Sequence, residues 1–153
     1  MGTQTNAQEI KQLKEGDKAP EFSLASDQGK TVSLPDFKGK YLVIYFYPKD
    51  DTPGCTKEAC SFRDNIEEFR KRGVSIVGIS KDTVESHKKF AQKFNLTFPI
   101  LADPECKTIE AFGAWGRRNT YLINPGGEIV KTYEKVNPLV HVGQLIKDLS
   151  SMV

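Results

Sequence analysis

Two kinds of apolar pattern alternate along the chain. Tyr41-Leu42-Val43-Ile44-Tyr45-Phe46-Tyr47 and Val74-Ser75-Ile76-Val77-Gly78-Ile79-Ser80 are nearly continuous apolar runs, the pattern of strands buried on both faces. Between them Ala59, Phe62, Ile66 and Phe69 recur at three- and four-residue steps, which predicts an amphipathic helix. Its start is marked by Thr52 as N-cap and Pro53 at the first helical position, and it is expected to run to about Arg72, stopped by Gly73. Val84, His87, Phe90 and Phe94 share the face of a second helix, capped by Asp82 or Thr83. A final helix is predicted from Pro138, with Leu139, Val142, Leu145, Ile146 and Leu149 inward.

Shorter elements fill the gaps. Glu21–Ala25 and Thr31–Leu34 alternate around Asp27-Gln28-Gly29 and read as a β-hairpin, followed by a turn at Pro35–Gly39. Thr97–Leu101 suits a short strand, and Pro104–Phe112 a short helix with Ile109 and Phe112 inward and Gly113 closing it. Thr120–Ile123 and Glu128–Tyr133, joined by Asn124-Pro125-Gly126-Gly127, form a second hairpin. Alternating strands and helices that end in a hairpin and a helix predict an α/β sandwich. With 153 residues and no repeat or linker, one domain is expected over 13–153, preceded by a polar, flexible lead-in at 1–12 that lacks the apolar segment of a signal peptide.

Composition narrows the function by exclusion. A net charge of +2 with both signs interspersed gives no basis for nucleic-acid or membrane-surface binding. No apolar run approaches the length of a membrane span. Three cysteines do not make a disulfide framework, so reduced thiols and a cytoplasmic setting are expected. Phosphate-cradling glycine motifs are absent from the sequence. His87 and His141 stand in unlike contexts, far from the cysteines, and neither a metal site nor a Cys–His pair is expected. Trp115 and the phenylalanines read as core, Cys106 as an incidental thiol, and Asp50-Asp51 as a loop outside the site.

Cys55 is the chemically loaded position. It lies in the first turn of the predicted helix, among unpaired N–H groups at the positive end of the helix dipole. That setting favours the thiolate, which is the nucleophilic form. The Thr52 hydroxyl is within sequence reach of the sulfur or of a substrate oxygen, and Gly54 permits close approach to the backbone. Two aspartates nearby call for a cation, and the adjacent Arg117 and Arg118, just ahead of the Thr120–Ile123 strand, are the candidates. Cys60 follows five residues later, roughly 140° around the helix, with the two Cα atoms roughly 8–9 Å apart. A disulfide needs them within about 7 Å. The two sulfurs therefore pair only if the first turns unwind.

Pro48-x-x-x-Thr52-x-x-Cys55 resembles the active-site motif of the peroxiredoxins, and with Cys60 it is similar to their bacterioferritin-comigratory, or Q-type, subfamily. The similarity runs from about Gly16 to the C-terminus. It implies a thioredoxin-like fold, a mixed sheet flanked by helices with an added N-terminal hairpin. It also implies a peroxidase that reduces hydrogen peroxide and organic hydroperoxides without metal, haem or flavin. Arg118 is the arginine whose spacing to the following strand matches the family. By resemblance, Cys55 becomes a sulfenic acid, Thr52 and Arg118 stabilise the breaking O–O bond, and Pro48 shields the thiolate. Cys60 then resolves the sulfenic acid as an intramolecular disulfide that thioredoxin reduces. A monomer is implied, because resolution stays within one chain. Two other readings remain: a thiol–disulfide oxidoreductase, which would normally carry Cys-x-x-Cys, and a non-enzymatic redox sensor or holdase.

Overall fold

A computed structural model describes residues 13–152. The lead-in expected over 1–12 lies outside the described residues. The chain begins with the expected hairpin, β1 (Ser23–Ala25) and β2 (Thr31–Ser33), with Leu24 opposite Val32. A 3-10 turn at Leu34–Phe37 leads into β3 (Tyr41–Phe46). Then come α1 (Pro53–Asp64), α2 (Ile66–Arg70), β4 (Val74–Ser80), α3 (Val84–Phe94) and β5 (Ile100–Ala102). The chain finishes with α4 (Lys107–Ala111), β6 (Thr120–Ile123), β7 (Ile129–Tyr133) and α5 (His141–Met152).

The two apolar runs pair at the centre of a five-stranded sheet of order β5-β4-β3-β6-β7. β3, β4 and β5 are parallel, whereas β6 and β7 join antiparallel on the other side of β3. Residues alternate across β3 as the pleat demands. Val43 and Tyr45 pack with Phe62, Phe69, Phe90 and Leu145 on one face. Leu42, Ile44 and Phe46 pack with Ile79, Phe112 and Tyr121 on the other. Both faces are covered, which explains why β3 and β4 read as continuous rather than alternating runs. The β1–β2 hairpin lies against the edge strand β5 through a bridge between Ser26 and Leu101, which caps an otherwise open edge. No helix among the described residues is long and apolar enough to cross a membrane. The predicted thioredoxin-like arrangement, a mixed sheet flanked by helices with a separate N-terminal hairpin, is the one observed.

Three details differ from expectation. The helix after Thr52 is broken at Asn65, whose side-chain amide donates to the Ser61 carbonyl at 2.8 Å, so α1 and α2 are separate. Ile66 and Phe69 still face the core, so the apolar stripe continues across a break in the backbone ladder. Leu139 is 67 % exposed, because residues 138–140 form an entry turn anchored on Asn137 and α5 starts only at His141. Trp115 is 56 % exposed rather than core, since Ala114 takes the buried position in that loop.

Candidate active site

β3 delivers the chain to its carboxyl end, at the strand where the parallel and antiparallel halves of the sheet meet. Pro48 follows, exposed. Asp51 turns the backbone at φ +58°, and Thr52 sits at the N-cap in extended conformation. Its hydroxyl does not cap the helix as expected; it donates to the Lys49 carbonyl at 2.9 Å and closes the turn. Pro53 occupies the first helical position and Cys55 the third, 1 % exposed.

Arg118 arrives from the other half of the sheet. Thr120 of β6 pairs with Tyr45 of β3, and the Asn119 carbonyl accepts from the Phe46 N–H at 2.8 Å. This registration sets the residue before Asn119 beside the turn that follows β3. Arg118 Nη2 donates to Cys55 Sγ at 3.4 Å. A Cβ on Gly54 would lie 3.2 Å from that same Nη2 and 3.4 Å from Pro138 Cγ, so a glycine here lets the guanidinium reach the sulfur. Of the two candidate arginines, Arg118 is the one on the thiol.

The chain as a whole is similar to known proteins in sequence and in shape. Residues 15–132 match the model of the AhpC/TSA family. Peroxiredoxin Bcp of Bacillus subtilis is 45% identical over 149 residues, covering 90% of this chain and 95% of the relative. The chloroplastic peroxiredoxin Q of Sedum lineare is 43% identical over 145 residues, covering 90% and 78%. Among solved structures, a peroxiredoxin Q of Xanthomonas campestris superposes with a TM-score of 0.80 at 34% identity, covering 85% and 90%. A PrxQ mutant from Xylella fastidiosa gives a TM-score of 0.88 at 28% identity, covering 93% and 98%. The chain is a peroxiredoxin of the AhpC/TSA family, a thiol-dependent peroxidase.

The site of this peroxiredoxin holds a residue that the sequence reading missed. Glu58 is fully buried and accepts from Arg118 Nη1 at 2.9 Å through Oε1, while its Oε2 has no hydrogen-bond partner among the described residues. Burial outweighs the Arg118 charge and pushes its carboxyl up to about 7. One guanidinium thus bridges a sulfur and a carboxyl, both out of solvent. The spacing was a usable signal: Glu58 falls three residues after Cys55 and four before Phe62, on the core-facing stripe.

Cys60 is half-buried, and Cys55, Cys60 and Cys106 are all free thiols. Cys60 opens into a groove it shares with Thr52, Pro53, Phe94, Pro138 and Leu139. Cys106 is buried at the start of α4, and burial pushes its thiol up. His141 belongs to the core: its Nε2 faces the Thr120 hydroxyl at 2.8 Å, and burial pushes it down to about 4. Asp50, expected to be an idle loop residue, is instead buried and hydrogen-bonded to His87, Tyr47 and Ser86.

Proposed function

We propose that Cys55 is the attacking sulfur, that Arg118 and Thr52 stabilise charge around it, and that Cys60 resolves the oxidised form. The observation that carries this reading is the 3.4 Å contact of Arg118 Nη2 with Cys55 Sγ at a helix N-terminus. The Cys55 thiolate attacks the terminal oxygen of a hydroperoxide. An S–O bond forms, the O–O bond breaks, and the leaving oxygen takes a proton to become water or an alcohol. Arg118 is preorganised for this and needs no reorganisation when charge develops, whereas the Thr52 hydroxyl must first turn from the Lys49 carbonyl. Glu58 orients the second arm of the Arg118 fork. Pro48, exposed at the rim, keeps the shielding role that the family resemblance gives it.

Resolution follows from the helix. Condensation of the Cys55 sulfenic acid with the Cys60 thiol forms S–S and releases water. Because the two sulfurs lie on different faces of α1, its first turns unwind before the bond forms. A thioredoxin-type dithiol then reduces the disulfide and becomes oxidised itself. The alkyl peroxide reduction described for a Xanthomonas campestris bacterioferritin comigratory protein supports organic hydroperoxides beside hydrogen peroxide as substrates. Resolution within one chain supports a monomer, and three cysteines that make no disulfide framework support a cytoplasmic setting.

The test is a coupled assay of hydrogen peroxide consumption with thioredoxin, thioredoxin reductase and NADPH. Wild-type protein turns over and Cys55→Ser does not; full turnover by Cys55→Ser would refute the assignment. Cys60→Ser performs one rapid peroxide reduction and loses thioredoxin-linked turnover. Unchanged turnover in Cys60→Ser would move resolution elsewhere. Insulin reduction without peroxide consumption would point to an oxidoreductase.

A further inference from the structure

Behind the active-site turn lies a polar cluster that the chemistry above does not use. His87 is fully buried and Asp50 nearly so. His87 Nε2 lies 3.0 Å from the Leu101 carbonyl, which can only accept, so Nε2 carries a hydrogen. Its Nδ1 lies 2.7 Å from Asp50 Oδ2. Two bare acceptors would repel at that distance, so a proton sits between them. The Tyr47 hydroxyl donates to Oδ1 at 2.6 Å and the Ser86 hydroxyl to Oδ2 at 2.7 Å. Burial pushes the Asp50 carboxyl up, but the hydrogen bonds from His87, Tyr47 and Ser86 outweigh it and hold the carboxyl below the usual range. Asp50 is therefore a carboxylate, tied to the His87 ring through the shared proton.

The same residue is held through its main chain. The Asp50 N–H donates to Asp82 Oδ2 at 2.8 Å, and Asp82 Oδ2 also accepts from Ser80 Oγ at 2.7 Å. Asp50 thus ties the turn after β3 both to α3 and to the loop that follows β4. The next residue, Asp51, is exposed at φ +58°. That left-handed conformation is unfavourable for a residue with a Cβ and persists where neighbours over-determine it. Thr52 and Pro53 follow at once and open α1.

Donor atoms of Asp50, Asp82 and His87 lie within 4.8 Å of one another, a grouping that invites a metal. The hydrogen bonds argue otherwise. Ligand atoms around a tetrahedral ion sit roughly 3.4 Å apart, whereas Nδ1 and Oδ2 are 2.7 Å apart and share a proton.

We propose that the Asp50–His87 pair is a positioning couple for Cys55. It holds the turn in the shape that sets Cys55 against Arg118, and it opposes the unwinding that carries Cys55 to Cys60. The inference rests on the peroxidase reading with Cys60 as the resolving thiol. Losing the pair therefore acts on the two half-steps in opposite senses: peroxide attack slows and disulfide closure speeds up. A fold weakened in general has no reason to separate the two steps in this way.

The experiment follows both steps in the reduced, full-length protein. It is mixed with one equivalent of hydrogen peroxide and quenched at intervals with an alkylating agent. Cys55 thiol, sulfenic acid and Cys55–Cys60 disulfide are then counted by mass spectrometry. His87→Gln is expected to slow attack about tenfold and to speed closure about threefold. Ser86→Ala removes one donor from the carboxylate without burying an unpaired charge, so it gives the same pair of changes on a smaller scale. It decides the matter where His87→Gln does not fold. Unchanged rates, or both steps shifted in one sense, overturn the proposal and leave the peroxidase reading standing. A wild-type protein that forms neither sulfenic acid nor disulfide removes both.

Discussion

At the scale of single residues, the site depends on what Gly54 lacks. A methyl group there would sit 3.2 Å from Arg118 Nη2, so the guanidinium must withdraw by a few tenths of an ångström. Gly54→Ala is expected to slow Cys55 oxidation by roughly tenfold while the melting temperature stays within a few degrees, because a small misplacement at a reacting centre costs rate more than stability. Single-turnover peroxide kinetics and thermal melting check the two halves of that statement. Cys55 stood out in the sequence because it lies at an element boundary, where turn chemistry fixes position, while the family resemblance chose Arg118 from the Arg117-Arg118 pair. Glu58 was passed over, since a lone glutamate inside a helix reads as surface even where its spacing sets it on the core-facing stripe. Asp50 was misread for a related reason. Its partners, His87 and Ser86, lie 37 and 36 residues away, and no local pattern announces them.

At the scale of elements, periodicity read the core-facing stripe of α1 and α2 correctly and their backbone incorrectly. Ala59, Phe62, Ile66 and Phe69 all reach the core, although Asn65 interrupts the helix between them. Side-chain spacing reports which way residues point, not whether the hydrogen-bond ladder is whole. The error at Leu139 has the same root: Asn137 accepts from residues 139, 140 and 141 and delays the helix start. The break at Asn65 gives α1 a boundary of its own. In the disulfide form, amides early in α1 are expected to lose hydrogen-exchange protection, while those of α2 keep theirs. Exchange measured by mass spectrometry on reduced and oxidised protein checks this. Equal loss in α2 would mean that the two helices open as one unit.

At the scale of the molecule, two buried groups set opposing pH dependences. His141 is pushed down from 6.5 to about 4 by burial, so the unfolded chain binds more protons between those values and stability rises with pH there. Glu58 is pushed up from 4.5 to about 7, so the folded chain binds more protons and stability falls with pH through nearly the same window. Each effect amounts to at most about 3.4 kcal/mol, and the two oppose each other from pH 4.5 to 6.5. Glu58→Gln should uncover the rise, and His141→Gln the fall, in denaturant titrations across that range. Two flat variants would show that these groups do not titrate as their burial implies. The sheet order was beyond sequence reading, because it joins strands as distant as β3 and β6; the family resemblance supplied a mixed sheet but not its order. Placing both sulfurs on one helix has a kinetic corollary. On the proposed resolution by Cys60, each catalytic cycle would contain a miniature folding reaction, melting and remaking a few turns of backbone. Helices form in about 0.1–1 μs, against enzyme turnovers on the order of 10 per second. Remaking the helix is thus too quick to govern throughput.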